Sequence, residues 1–150
     1  IEGLLRAIIH QSAPGVKIEL THDRIFIACR PERMPRALQR FLLQHAEKII
    51  VPLAHEKAAA IGKKIAGIRL RDTTSRWGSC SHDGNLSFSW RLILAPIDVI
   101  DYVVAHEVAH LQHFDHSPNF WGLCRELSSS YTMGKHWLKL HGAALQQVQF

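Results

Sequence analysis

Apolar and polar positions alternate with a period of two over Val16-Lys17-Ile18-Glu19-Leu20-Thr21, and more loosely over Arg24-Ile25-Phe26-Ile27-Ala28-Cys29. Alternation of this kind collects the apolar side chains on one face of a strand. With His22-Asp23 between them, the two runs read as a hairpin. Pro31 and Pro35 then punctuate the chain, and the period changes. Leu38, Phe41, Leu42, His45 and Ile49 recur at helical spacing from Pro35 to about Ile50. Pro52 lacks a backbone donor, which predicts a kink there or the start of a second helix running toward Gly62. Arg36, Arg40, Lys48 and Lys57 along this stretch read as a solvated face, with nucleic-acid contact as the alternative.

Ile65-Ala66-Gly67-Ile68-Arg69-Leu70-Arg71 alternates again. Arg76-Trp77-Gly78-Ser79-Cys80-Ser81 and Leu86-Ser87-Phe88-Ser89-Trp90 flank His82-Asp83-Gly84-Asn85, and Asp-Gly between alternating runs signals a second hairpin. Beyond Pro96 the chain is strongly apolar from Ile97 to about His113, long enough for a buried helix with Asp98 in its first turn. Ser117-Pro118 reads as an N-cap followed by proline at the first helical position, opening a helix through Phe120, Trp121, Leu123 and Cys124. A short last helix is expected over Lys135 to Leu145. No internal repeat or low-complexity tract interrupts this order, so the expectation is an α+β domain.

The 150 residues fit one domain, residues 1–150, and a chain of this length buries enough surface to fold without a disulfide or metal. No apolar run approaches the ~20 residues of a membrane span, and no signal-peptide pattern stands at the start. Three cysteines, Cys29, Cys80 and Cys124, without close pairing fit a reducing compartment, so a cytoplasmic location is expected. Eighteen Lys and Arg against 13 Asp and Glu give a modest basic surplus, compatible with nucleic acid as a partner but not diagnostic of one. The 11 histidines change the picture more, because four of them crowd between His106 and His116.

Within the buried helix stands His106-Glu107-Val108-Ala109-His110. Histidines four apart lie one turn above each other, about 6 Å along the axis, so both imidazoles can converge on one metal ion. Glu107 is rotated by roughly 100° and can reach the ion's water without ligating it, the H-E-x-x-H arrangement of zinc peptidases. Apolar neighbours on both sides make an unpaired Glu and two unpaired His costly there, which a metal would offset. For a third ligand His116, just before the Ser117 cap, is favoured, because a chain reversal there would swing its imidazole back over the other two. Glu126 on the following helix is second, and His113 reads as a helix-end or supporting residue.

Together with the residues before them, these positions resemble the YgjP-like metallopeptidase family, relatives of the SprT-like and WLM-type minimal zincins. The resemblance runs in order through Arg76 to Ser81, Gly84 to Phe88, Trp90 to Pro96, Tyr102 to Leu111, His116-Ser117 and Phe120-Trp121. It implies Zn2+ held by His106, His110 and His116, with Glu107 as the catalytic glutamate. It also implies a minimal zincin-like fold, a small mixed sheet packed on the active-site helix, with a peptide or protein substrate lying along an edge strand. The N-terminus looks short for the family, so a strand or two is expected to be missing. Trp77, Gly78 and Ser79 are the candidate substrate-binding wall, Gly78 allowing close backbone approach; a tightly packed strand without substrate contact is the alternative. Cys80 reads as a buried structural thiol rather than a nucleophile. Tyr131, His136 and Arg91 are candidates for stabilising an oxyanion. Two other functions stay open: zinc-dependent hydrolysis of nucleotides or phosphoesters, and a DNA-associated zinc-binding module.

Overall fold

A computed structural model describes all residues, 1–150. The first sheet holds β1 (Ala7–Gln11), β2 (Lys17–Leu20) and β3 (Arg24–Ala28) in the order β1-β3-β2. The hairpin of the alternating runs is present, with Lys17 opposite Ala28 and Leu20 opposite Ile25. β1 was not foreseen; it joins β3 in parallel, Ala7 beside Arg24 and Gln11 beside Ala28. Its residues are all exposed, so no apolar alternation marked it, and its partner lies outside any local window.

α1 (Met34–Ala60) is a single helix of 27 residues that carries Pro52 inside it. The expected break does not occur. Pro52 is exposed, while Leu38, Leu42, Ala46, Ile50, Ala54 and Ala58 form an unbroken buried stripe on both sides of it. One lost backbone bond costs less than abandoning that stripe. Lys57 departs from the solvated-face reading: it is only 8% exposed, and its Nζ meets Asp101 Oδ1 at 2.5 Å and donates to the Leu127 carbonyl at 2.5 Å.

The second sheet contains β4 (Gly67–Arg71), β5 (Gly78–Cys80) and β6 (Asn85–Ser89) in the order β4-β6-β5. The foreseen hairpin pairs Gly78 with Phe88 and Cys80 with Leu86. Gly84 closes its turn at φ +77°, a conformation that glycine adopts without strain. β4 pairs with β6 in parallel, which leaves β5 at the sheet edge. A 3-10 turn over Trp90–Leu94 leads into α2 (Ile97–Ala109), then α3 (Pro118–Leu127) and α4 (Tyr131–Gln146). Ser117 caps α3 as read from sequence, its Oγ accepting from the Phe120 amide at 3.4 Å. α4 starts four residues before Lys135 and ends one after Leu145.

α2 is the centre of the molecule. Nine of its 13 residues are buried, so its polar residues must find partners inside the fold. The main core joins it to α1, to both sheets and to Trp90, Leu92 and Ile93 of the 3-10 turn. The architecture is mixed α+β with two small sheets and four α-helices, consistent with a small zincin-like domain. No helix is long and apolar enough to cross a membrane.

Candidate metal centre

α2 ends at Ala109, and the chain turns back through Leu111 to Asp115 before Ser117 starts α3. That reversal brings His116 to the two histidines of α2. One ring nitrogen from each of His106, His110 and His116 falls within 4.8 Å of the others. His116 Nε2 stands 3.3 Å from His106 Nε2. His113 and Glu126 lie outside this donor group, and Glu126 is exposed on α3. His113 contributes instead through its main chain, since His110 Nδ1–H donates to its carbonyl at 2.9 Å. This bond leaves the Nε2 lone pair of His110 free to bind.

Phe120 forms the floor under the triad. Its fully buried ring lies 4.9, 4.4 and 4.8 Å from the rings of His106, His110 and His116. Trp121 stacks on His116 at 5.3 Å, and Lys135 Nζ sits 4.4 Å over the Trp121 ring. Burial, then the neighbouring His110 and His116, push the His106 pKa down to about 4, keeping its imidazole neutral near pH 7. The neutral imidazole is the form that binds a metal.

The donor set fits a divalent metal. His106 presents its Nε2 to the Nε2 of His116. Imidazole nitrogens gathered this closely present lone pairs that a shared cation would satisfy. In a tetrahedral site with metal–nitrogen bonds of about 2.0–2.1 Å, neighbouring nitrogens are about 3.4 Å apart. The 3.3 Å separation of the His106 and His116 Nε2 atoms is close to that edge, and all three donor atoms lie within 4.8 Å of one another.

Glu107 lies beside the triad and against β5. It is 6% exposed, and burial raises its pKa to about 8. A Cβ built on Gly78 would fall 2.5 Å from Glu107 Cγ and 2.7 Å from its Oε1, so only glycine leaves room for this carboxylate. Gly78 and Ser79 lie on the edge strand β5, with Trp77 just before it, and all three line hollows that also contain Glu107. A hollow of about 210 Å³ on one side of Glu107 is lined by Trp77, Tyr102, Val103, Leu138 and His106. One of about 320 Å³ on the other is lined by Arg76, Ser79, Cys80, Phe114 and the three histidines.

The remaining candidates are placed elsewhere or differently. Arg91 is buried, paired with Asp72, and its Nε donates to the Val148 carbonyl at 2.8 Å. His136 is exposed on α4, and Tyr131 packs on Tyr102 and Trp121; neither lines either hollow. Cys80 is half-buried on the cleft wall, not fully buried, yet its thiol lies outside the donor group. Its pKa is pushed up to about 11 by burial and then by Glu107, and its Sγ donates to the Ser81 carbonyl. Arg76, Tyr102 and Leu138 are cleft residues that the sequence reading did not single out. Tyr102 had a signal, since it stands four residues before His106 on the same helix face.

A family model described as "YgjP-like, metallopeptidase domain" matches residues 24–141. Among curated proteins and among solved structures, none is similar enough to count as a match. The matched stretch runs from β3 into α4 and includes the triad, Glu107 and the whole second sheet. The chain belongs to the YgjP-like metallopeptidase family.

Proposed function

We propose that the protein is a zinc-dependent peptidase in which His106, His110 and His116 hold the ion and Glu107 is the general base. The observation that carries this reading is one arrangement: three convergent imidazole nitrogens beside a buried carboxylate, pressed against an open strand edge. A zinc ion held there would supply Lewis acidity toward a carbonyl and a water of lowered pKa.

The chain's own groups do the rest. The free edge of β5 aligns an extended peptide by main-chain pairing. Glu107 takes a proton from the attacking water on a carboxylate oxygen and returns it to the leaving amine nitrogen. Beside a bound dication its carboxyl, raised to about 8 by burial, would be drawn back toward the ionised form that this role needs. Arg76, Ser79 and Tyr102 are polar residues that line the two hollows beside Glu107, where a substrate carbonyl would be held. The Tyr102 phenol, raised to about 12 by burial and then by Tyr131, stays a proton donor throughout the working range.

The test is metal content per chain in wild type, His116→Ala and Glu107→Gln, with hydrolysis of a peptide mixture measured on the same samples. One zinc per wild-type chain, lost in His116→Ala and kept in Glu107→Gln, is expected. Hydrolysis should fall about 10²–10⁴-fold in Glu107→Gln. Zinc retained by His116→Ala, or wild-type turnover in Glu107→Gln, would sink the assignment. Phosphate release from nucleotides in place of peptide cleavage would shift the reading to phosphoester hydrolysis.

A further inference from the structure

The two hollows that flank Glu107 differ in chemistry. The Trp77 side is walled by Trp77, Tyr102, Val103 and Leu138, whereas the other carries Arg76, Ser79, Cys80 and the histidines. The apolar hollow is shaped by how α4 docks. Gly134, Leu138 and Gly142 stand four apart and share one face of that helix. A Cβ on Gly134 would meet Tyr102 Cβ at 2.5 Å, and one on Gly142 would meet Trp77 Nε1 at 3.3 Å. Neither glycine has a positive φ, so close approach explains them. The bare backbone of α4 rests on these two rings, and Leu138, one turn from each glycine, closes the hollow between them.

Resting on the peptidase reading above, the geometry points to Leu138 as a specificity-determining residue: the Trp77 hollow takes the side chain immediately C-terminal to the scissile bond, and Leu138 limits it to a branched or linear apolar group. Direction follows from the strand. β5 already pairs antiparallel with β6, and antiparallel pairing is the stronger mode per residue. A peptide adding antiparallel to the free edge of β5 runs from its Cys80 end toward its Gly78 end, beside Trp77. Residues before the scissile bond then lie by Ser79 and Cys80, and those after it by Trp77 and Leu138. The hollow has no charged side chain other than Glu107 and the ligand His106, so an acidic or basic side chain entering it would lose its hydration without a partner.

The experiment is digestion of a random peptide library by the zinc-loaded protein, followed by sequencing of the new N-termini. Leu, Ile, Val and Met are expected there, enriched about 10-fold or more over Asp and Gly. Leu138→Ala should move the preference toward Phe and Trp, and Leu138→Phe should move it toward Ala and Ser. Melting curves on both variants separate a changed pocket from a lost fold. Enrichment on the other side of the cut, or a flat profile in wild type, overturns the proposal. So does a preference that neither folded variant moves.

A binding readout keeps this distinct from the peptidase reading. Calorimetry on zinc-loaded Glu107→Gln with capped alanine peptides carrying one Leu or one Asp should show the Leu peptide binding about 10-fold or more tightly. Failure of wild type to cleave any peptide would remove the peptidase reading while this preference persisted. Equal binding of the two peptides would remove the pocket assignment even if cleavage were found.

Discussion

The chain runs twice through one order of elements. β1, β2, β3, a 3-10 turn and α1 are followed by β4, β5, β6, a 3-10 turn and α2. In each sheet the third strand is central, the first parallel to it and the second antiparallel. In each unit the second strand is an edge, and a hollow lies between that edge and the following helix. In the first unit Val16 and Ile18 line it with Arg40, Phe41 and Gln44. In the second, Gly78, Ser79 and Cys80 line it with His106, Glu107 and His110. The difference is depth. Seven of the 27 residues of α1 are buried against nine of the 13 of α2. Arg36 and Arg40 on α1 are exposed and keep their hydration, whereas His106 and Glu107 on α2 have proton affinities shifted by burial. Edge and helix make a hollow in both places; only in the second does burial shift the proton affinities of the residues that line it.

That contrast is tested most severely at Phe120, the aromatic floor that α3 places under the triad. Removing a fully buried phenyl ring costs about 3–5 kcal/mol, and for a chain of this size each kcal/mol lowers Tm by about 2–4 °C. Phe120→Ala should therefore melt roughly 6–20 °C lower. It should also bind zinc more weakly, because the three imidazoles lose the surface that holds them in register. Unchanged zinc affinity in the folded variant would mean that the α2 site does not depend on its cover.

The next effect is local. Gly78→Ala places a methyl group 2.5 Å from Glu107 Cγ, and one of the two must move. A misplacement of about 1 Å in a reacting group can cost 10²-fold. We expect kcat to fall by about that factor with metal content nearly unchanged, and Tm to drop by several degrees, since overpacking a buried contact costs about 1–3 kcal/mol. Ala at the wild-type rate would show that Glu107 has slack at β5, and the supposed constraint on glycine would be void.

The site and its frame differed in how far they could be read in advance. His106, Glu107 and His110 were legible because a helix converts a spacing of four into spatial proximity without further information. His116 needed one more inference, a chain reversal, and Ser117-Pro118 marked where it falls. β1 could not be read, since five exposed residues pair with a strand that is not their neighbour in the chain. Lys57 looked solvated because its partners Asp101 and Leu127 arrive from α2 and α3, and only tertiary packing joins them. Leu138 was silent for the same reason: its place in the cleft depends on two glycines that let α4 settle on Tyr102 and Trp77. The matching order of the two units was equally invisible, as the residues share no repeat.

A weaker effect is expected behind the sheet of the second unit. Asp72 binds the buried Arg91 and accepts from Trp90 Nε1 at 3.0 Å. The Arg91 guanidinium in particular holds the Asp72 carboxyl below its usual range. A depressed folded-state pKa adds stability above the unfolded value near 3.8 and loses it as pH falls through that value and below. Asp72→Asn should thus lower Tm at neutral pH and flatten its decline in acid. The loss should stay under the 3–5 kcal/mol of a fully buried pair, because the Asp72 side chain is 54% exposed. An acid limb identical to wild type would show that the pair does not couple to folding.

The smallest effect belongs to the other hollow and completes the comparison. Arg40 lines it beside Val16, Ile18 and Phe41, is exposed, and forms no ion pair. A surface substitution of this kind changes stability by about 0.5 kcal/mol or less. Arg40→Glu should leave zinc content, peptide turnover and Tm within error of wild type, although it reverses a charge at the topological counterpart of the candidate metal centre. A drop in peptide turnover would mean that the first unit takes part in holding substrate, and that its hollow is more than a shape shared with the second.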